Sequence, residues 1–404
     1  MKHVIVIGGG ASGLMAAYAA AANGKEVTLL ERNEKLGKKI YITGKGRCNL
    51  TNDCAPEDFL AHVVRGAKFL TRAAYLFPPA RTMEFFEENG LSLKVERGNR
   101  VFPVTDHASD VTAALERACR RAGAKLHLNE RVLAVEGAEG DFCVRTEKGE
   151  YRAGSVIVAT GGLSYPSTGS TGDGYRFAAK AGHTLVATVP SLVGMELAED
   201  VSAAQGISLK NAVLTARRGE KMLFSQMGEL LFTHYGISGP LVLTLSALIN
   251  RLPLSEIGLS LDFKPALDEK KLDERLLRDF SERKNEQMKN VMRGLLPAGL
   301  CAAVLRAANV AGGKQANAVT REERGRILHA LKHFSLTPTA LRGFSEAVIT
   351  SGGVELKEID PKTMESRRTK GLFFCGEVLD CDAFTGGYNL QIAFSTGYLA
   401  GENA

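Results

Sequence analysis

No stretch of this 404-residue chain stays apolar for the about 18 residues that a membrane-spanning helix needs, so no transmembrane segment is expected. The apolar stretch that follows Lys2 is cut short by glycines after a few residues. It lacks the pattern of a signal peptide, and a soluble cytoplasmic protein is the expectation. No CxxC pair occurs among the seven cysteines (Cys48, Cys54, Cys119, Cys143, Cys301, Cys375 and Cys381). That argues against a zinc ribbon and against the redox disulfide of thiol reductases, and leaves mostly structural, reduced thiols. No metal-ligand spacing is present, and no metal is expected. The net charge of +6 is spread without a long Lys/Arg run, and the denser patches Lys35–Lys39 and Arg120–Arg121 read as solvated faces. Nucleic acid is therefore not the expected partner. Repeats and low-complexity segments are absent too. With 45% hydrophobic and 24% charged residues, the chain has the composition of a globular protein of two or three domains.

What the sequence does contain begins at once. Val4-Ile5-Val6-Ile7 runs into Gly8-Gly9-Gly10-Ala11-Ser12-Gly13 and the small-residue stretch Leu14 to Ala22, which predicts strand, tight turn and helix. A second strand, Glu26 to Leu30, ends on Glu31, so an acid follows the first glycine by a little over 20 residues, as a dinucleotide fingerprint requires. Gly8 permits the turn, Gly10 admits a diphosphate close to the backbone, and Gly13 lets helix and strand pack. The helix N-terminus favours an anion. Glu31 accepts from ribose hydroxyls and repels a 2′-phosphate, which disfavours NADP at this site.

Further along, the stretch Arg32 to Cys54 is too rich in Gly, Lys and Asn for core and suits a loop beside a ligand. Helices are expected near Phe69–Tyr75, Arg81–Glu88 and Ala108–Ala122, sheet strands at Lys125–Leu128 and Glu130–Val135, and an alternating meander at Phe142–Thr146 and Glu150–Ala153. The strand Ser155 to Ala159 then ends in Thr160-Gly161-Gly162. From about Pro190 the texture changes. Short β-like segments (Leu209–Ala216, Lys221–Phe224, Leu259–Phe263) alternate with helical ones (Leu241–Asn250, Asp268–Arg293, Thr320–Phe334) until about Phe344, as in an inserted domain. The chain then returns with Gly371 to Asp380, a strand ending in Gly and acid, and a helix from Thr385. The division expected is 1–190 and 345–404 for nucleotide binding, and 191–344 for an inserted substrate or cap domain.

Gly37 to Asn52 (GKKIYITGKGRCNLTN), Ala159 to Pro166 with Gly169 to Gly174, Gly228 to Pro240 and Gly371 to Gln391 together resemble a bacterial FAD-binding family known as BaiN-like or YhiN-like. Some of its members are named aminoacetone oxidases or bile-acid reductases. The resemblance spans nearly the whole chain. It implies an α/β fold: a glutathione-reductase-type, Rossmann-like FAD domain carrying an inserted β-barrel-like and helical domain. It implies FAD contacts at Gly8, Gly10, Ala11, Ser12 and Gly13 (diphosphate), Glu31 and Arg32 (adenosine) and the Val132 backbone (adenine). Lys38, Arg47 and Cys48 would line a loop beside the flavin, Thr160 and Gly161 would lie near the ribose, and Gly376, Glu377, Asn389 and Leu390 would reach the ribityl chain and ring, with Asp380 an alternative to Glu377.

Only one fingerprint exists, so NAD(P)H would dock transiently, or the substrate itself would reduce the flavin and oxygen reoxidise it. Arg47 could lower the pKa of Cys48, although a small residue packing in a tight loop gives the same pattern. His234, Tyr235 and Tyr388 are candidate proton donors, each open to a structural reading. The function expected is an FAD-dependent oxidoreductase of a small molecule, an NAD(P)H-linked reductase or an amine oxidase. An FAD-dependent RNA-modifying protein is the alternative.

Overall fold

Val4, Ile5 and Val6 have no solvent exposure because the strand they form is covered on both faces, the usual reason for an unbroken apolar run in a parallel sheet. A computed structural model describes residues 3–138 and 140–404. In it β1 (His3–Ile7) leads through the glycine turn into α1 (Ala11–Ala22), followed by β2 (Glu26–Leu30), β3 (Lys125–His127), β4 (Ser155–Val158), β5 (Leu372–Phe374) and α2 (Tyr388–Asn403). The five strands are parallel in the order β5-β4-β1-β2-β3. Their carboxyl ends share one edge, the edge at which open α/β sheets bind ligands.

Two compact units emerge. One comprises Met1–Ser191 with Phe344–Ala404, the other Leu192–Gly343. In the first, α1 is nearly all small residues, and α2 crosses it where Gly397 and Gly401 face its backbone. A methyl group on either glycine would come within 2.3 Å of the Ser12 or Ala16 carbonyl oxygen. The expected meander is present as Val132–Ala138, Asp141–Thr146 and Glu150–Ala153, all antiparallel.

The second unit has its own core and a seven-stranded sheet. Its long hairpin, Ser208–Arg218 with Lys221–Phe232, runs further than the short strands expected there. The two edge strands of the sheet, Phe334–Leu336 and Pro338–Leu341, are separated in sequence only by Thr337. That link makes the sheet barrel-like, although no ladder closes it among the described residues. The single helix expected over Asp268–Arg293 is corrected to Glu269–Glu282 followed by a short Met288–Val291 turn. It stops at Arg283, whose guanidinium turns back to bond Glu286 and the carbonyls of Asn290 and Val291. Asp268 caps its start, and a Thr320/Glu323 capping box starts the helix Arg321–Lys332.

Candidate functional site

The three fingerprint glycines do different work. A Cβ on Gly13 would lie 1.9 Å from the Gly8 carbonyl oxygen, and one on Gly8 would lie 2.5 Å from that of Ala159; both are packing requirements. A Cβ on Gly10 would meet nothing within 4 Å. Gly10 caps α1 without a side-chain bond, and no acid lies in the first turn, so no side chain caps the first-turn N–H groups of Ala11, Ser12 and Gly13, and the helix dipole stands behind them. An open cradle of donors in that position fits a diphosphate.

Glu31 is buried and accepts from the Gly9 N–H at 2.6 Å, the Asn33 N–H at 2.8 Å and the Asn33 amide at 2.7 Å. Its carboxylate is thus fixed beside the turn, with oxygen lone pairs left for hydroxyl donors. The adjoining segment is held to it by the backbone, Glu130 N–H to Glu31 O at 2.8 Å, which brings Val132 alongside. Arg32 turns away to Thr171 (2.6 Å) and Asp173 (3.3 Å). Asn49 Oδ1 and Thr160 Oγ1 are buried with no hydrogen-bond partner in the protein, which suits groups that await a polar ligand. Taken together, these residues fit FAD.

The loop after β2 departs from expectation. Lys38 pairs with Glu34 at 2.9 Å and reaches Asn33. Lys39, which the sequence did not single out, points to the strand ends and bonds Glu377 at 2.6 Å and the Ser164 hydroxyl. Arg47 is held by Glu96 and Asp106 and stacks over Phe102 at 4.2 Å, so its charge is spent on anchoring the loop. Cys48 is fully buried, and burial pushes its thiol up to about 12. Burial disfavours the thiolate that Arg47 was expected to favour, and of the two readings of Cys48 the structure supports the small residue packed in a tight loop.

At the C-terminal segment, Gly376 sits on α1: a Cβ there would come within 2.4 Å of Ser12 Oγ. Its N–H bonds Thr396 Oγ1 at 3.0 Å. Asn389 spends its side chain on the Ala383 N–H (2.9 Å) and the carbonyls of Ala383 and Phe384, and no side chain caps the first-turn N–H groups of α2, among them that of Leu390. Tyr388 is buried, stacks on His62 with ring centroids 4.4 Å apart, and has its phenol pushed up to about 12 by burial. Asp382, next to the Asp380 alternative, does not face solvent. It is fully buried, accepts from Arg65 at 3.1 Å and Ser191 at 3.0 Å, and burial raises its pKa. His234 lies in the second unit, exposed, with its ring edge-on to Tyr235. Among the described residues no cluster could hold a metal ion, and no helix is long and apolar enough to cross a membrane.

The chain is 34% identical to a 3-dehydro-bile acid delta(4,6)-reductase of Clostridium scindens, over 100% of this chain and 99% of that one. It is 32% identical to a ribosomal RNA dihydrouridine synthase of Haemophilus influenzae, over 98% and 96%. Among solved structures it resembles the 3-ketosteroid-delta4-(5alpha)-dehydrogenase of Rhodococcus jostii RHA1, with a TM-score of 0.51 at 16% identity, over 100% of this chain and 96% of that one. That likeness concerns the fold, which is the Rossmann-type FAD-binding fold of the flavoenzymes. The profile of the HI0933-like protein Rossmann domain matches residues 2–403, and the chain belongs to that family.

Proposed function

We propose that this FAD-dependent oxidoreductase saturates a carbon–carbon double bond conjugated to a carbonyl, with NAD(P)H as the electron source. The observation that carries the reading is chemical. The two relatives named above act on unlike molecules, yet a 3-keto-4,6-diene and a uracil ring both present a C=C in conjugation with C=O. The overall change consumes one NAD(P)H and one proton, adds hydride to the β-carbon and proton to the α-carbon, and releases NAD(P)+. When bound, FAD supplies the hydride-carrying chemistry.

The chain's residues do the rest. The first turn of α1 holds the diphosphate, Glu31 the ribose, and the first turn of α2 offers N–H groups to the developing negative charge. A single fingerprint means that the nicotinamide docks and leaves. A small lipophilic enone is the leading substrate class.

Anaerobic stopped-flow absorbance tests this. NADH or NADPH should bleach the flavin band, and a steroid 4,6-dien-3-one added next should restore it with loss of one of its two C=C bonds per flavin reoxidised. Bleaching reversed by oxygen but not by any enone would overturn the reductase reading. The second reading, in which the conjugated bond belongs to a uridine of ribosomal RNA, is favoured by the 32%-identical relative and by the positive charge concentrated in 192–343. Mass spectrometry of ribosomal RNA incubated with protein and NADPH would detect the reduced base.

A further inference from the structure

Three segments distant in sequence meet beyond the carboxyl ends of β2, β4 and β5. Lys39 Nζ lies 2.6 Å from Glu377 Oε2 and bonds Ser164 Oγ, and Ser164 Oγ donates to Glu377 Oε1 at 2.6 Å. The Thr350 N–H donates to the same oxygen at 2.8 Å, while Thr350 Oγ1 accepts from the N–H groups of Leu163 (2.8 Å) and Ser164 (3.1 Å). The Lys39 and Glu377 side chains are 22% and 11% exposed, so water screens them little.

Both charges are tied to the glycine turn through short backbone links. Glu377 follows Gly376, which touches Ser12 in the first turn of α1. Lys39 is two residues from Gly37, whose N–H bonds the Gly9 carbonyl at 2.8 Å. A Cβ on Gly162 would meet Thr350 Oγ1 at 2.5 Å and Glu377 Oε1 at 2.9 Å, so only glycine at 162 leaves the carboxylate and Thr350 where they are. Glu377, expected to bond the ribityl chain, has three donors of its own.

An apolar pair would join these segments with less desolvation cost than an ion pair. What an apolar pair would lack is a fixed electric field at the ligand edge of the sheet. Resting on the FAD reading above, we propose that Lys39 and Glu377 act as a matched pair of positioning charges that set the reduction potential of the bound flavin. Reduction by two electrons and one proton adds one negative charge to the isoalloxazine. Lys39 therefore favours the reduced form, Glu377 opposes it, and the pair holds the potential between the two extremes.

The test is the midpoint potential of FAD-reconstituted full-length protein, equilibrated against a reference dye. Lys39→Met should lower the reduced-to-oxidised ratio at fixed ambient potential by about tenfold, ~30 mV for a two-electron couple, and Glu377→Gln should raise it by a similar factor. The double variant should return near the wild-type value, and Lys39→Arg should keep it. A merely structural pair would lower melting temperature in both single variants without opposite shifts in potential. Potentials that stay within twofold in ratio, or that move in the same direction, overturn the proposal. If Glu377→Gln loses FAD, the contrast between Lys39→Met and Lys39→Arg still decides. Wild-type protein that binds no FAD sinks the flavin reading itself, whereas bound FAD with unmoved potentials sinks only the role of the pair.

Discussion

The two units differ in how they spend charge. Residues 1–191 with 344–404 carry 30 basic and 29 acidic side chains, whereas 192–343 carry 21 and 16, so five of the six net positive charges belong to the smaller unit. The first unit prepares for an anionic ligand with backbone N–H groups and a helix dipole, and its side-chain charges are largely consumed in pairs such as Lys39–Glu377 and Arg47–Asp106. The second unit's charges include pairs as well, Arg218 with Glu256 among them, yet its hairpin tip Arg217-Arg218-Gly219-Glu220-Lys221 is exposed throughout. A site made of backbone tolerates few sequences. A surface made of side-chain charge tolerates many, which is why the cofactor is easier to assign than the substrate.

The sharpest break in that comparison comes from the glycines. Gly13→Val places a side chain inside the distance at which Gly8 O already sits, 1.9 Å from the Cβ position, and should cost ~4 kcal/mol or more, enough to prevent folding. Gly10 has φ −84° and ψ −169°, ordinary for valine, and open space at Cβ. Gly10→Val should fold with an unchanged far-UV circular dichroism spectrum yet lose FAD affinity by at least ~100-fold, about 2.7 kcal/mol. Mutant protein that stays yellow at full occupancy would refute the diphosphate site.

A second contrast separates the two substrate classes. Replacing Arg217, Arg218 and Lys221 by alanine should leave flavin content and reduction of an enone within about twofold. If ribosomal RNA is the substrate, the same variant should bind it with a shallower salt dependence, by up to about one unit of log–log slope for each phosphate no longer neutralised. Fluorescence anisotropy across a salt series measures this. An unchanged slope would remove the hairpin tip from any RNA-binding surface.

How much of this was legible beforehand follows the same division. Gly8, Gly10, Gly13 and Glu31 were readable because sterics and hydrogen bonding restrict what can stand there. The meander followed from alternating side chains, and the return of the chain after Gly371 from an apolar run ended by Gly376. Lys39 was not readable, because adjacent lysines in a loop look alike until the backbone sends one to Glu34 and the other to Glu377. Asp382 hid for the same reason: its partner Arg65 is more than 300 residues away. The two readings of Cys48 stayed open because proximity to Arg47 in sequence says nothing about where the guanidinium points, and here it points to Glu96 and Asp106. The break at Arg283 lies in the polar run Ser281 to Gln287, where apolar spacing gives no signal either way.

Thiol accessibility gives a smaller test within the first unit. Cys48, Cys119 and Cys375 are buried, with thiols pushed up to about 12, and should resist iodoacetamide at pH 8 in the folded protein. Cys143, partly exposed on the meander, should label first, as peptide mass spectrometry would show. Rapid labelling of Cys48 under native conditions would restore it as a reactive residue.

The smallest expected effect lies in acid. His183 is buried with Nε2 2.7 Å from Ser366 Oγ and Nδ1 3.2 Å from Glu358, and burial holds its pKa below the ordinary 6.5. The unfolded chain takes that proton first, so this contribution to stability is complete above pH 6.5 and declines as pH falls below it. Glu358 is held at about 2, against an ordinary 4.5, chiefly by Arg368 and further by the Thr184 N–H and hydroxyl. Its contribution is complete above about pH 4.5 and is lost progressively toward pH 2. Both shifts therefore act in the same direction, and acid destabilises through two successive windows. In melting curves from pH 8 to pH 3, His183→Gln should flatten the upper window and Glu358→Gln the lower one, while Gly10→Val, which leaves this cluster untouched, should keep both. A wild-type melting temperature that stays level between pH 7 and pH 4 would show that the cluster is not protonated differently in the folded and unfolded chains.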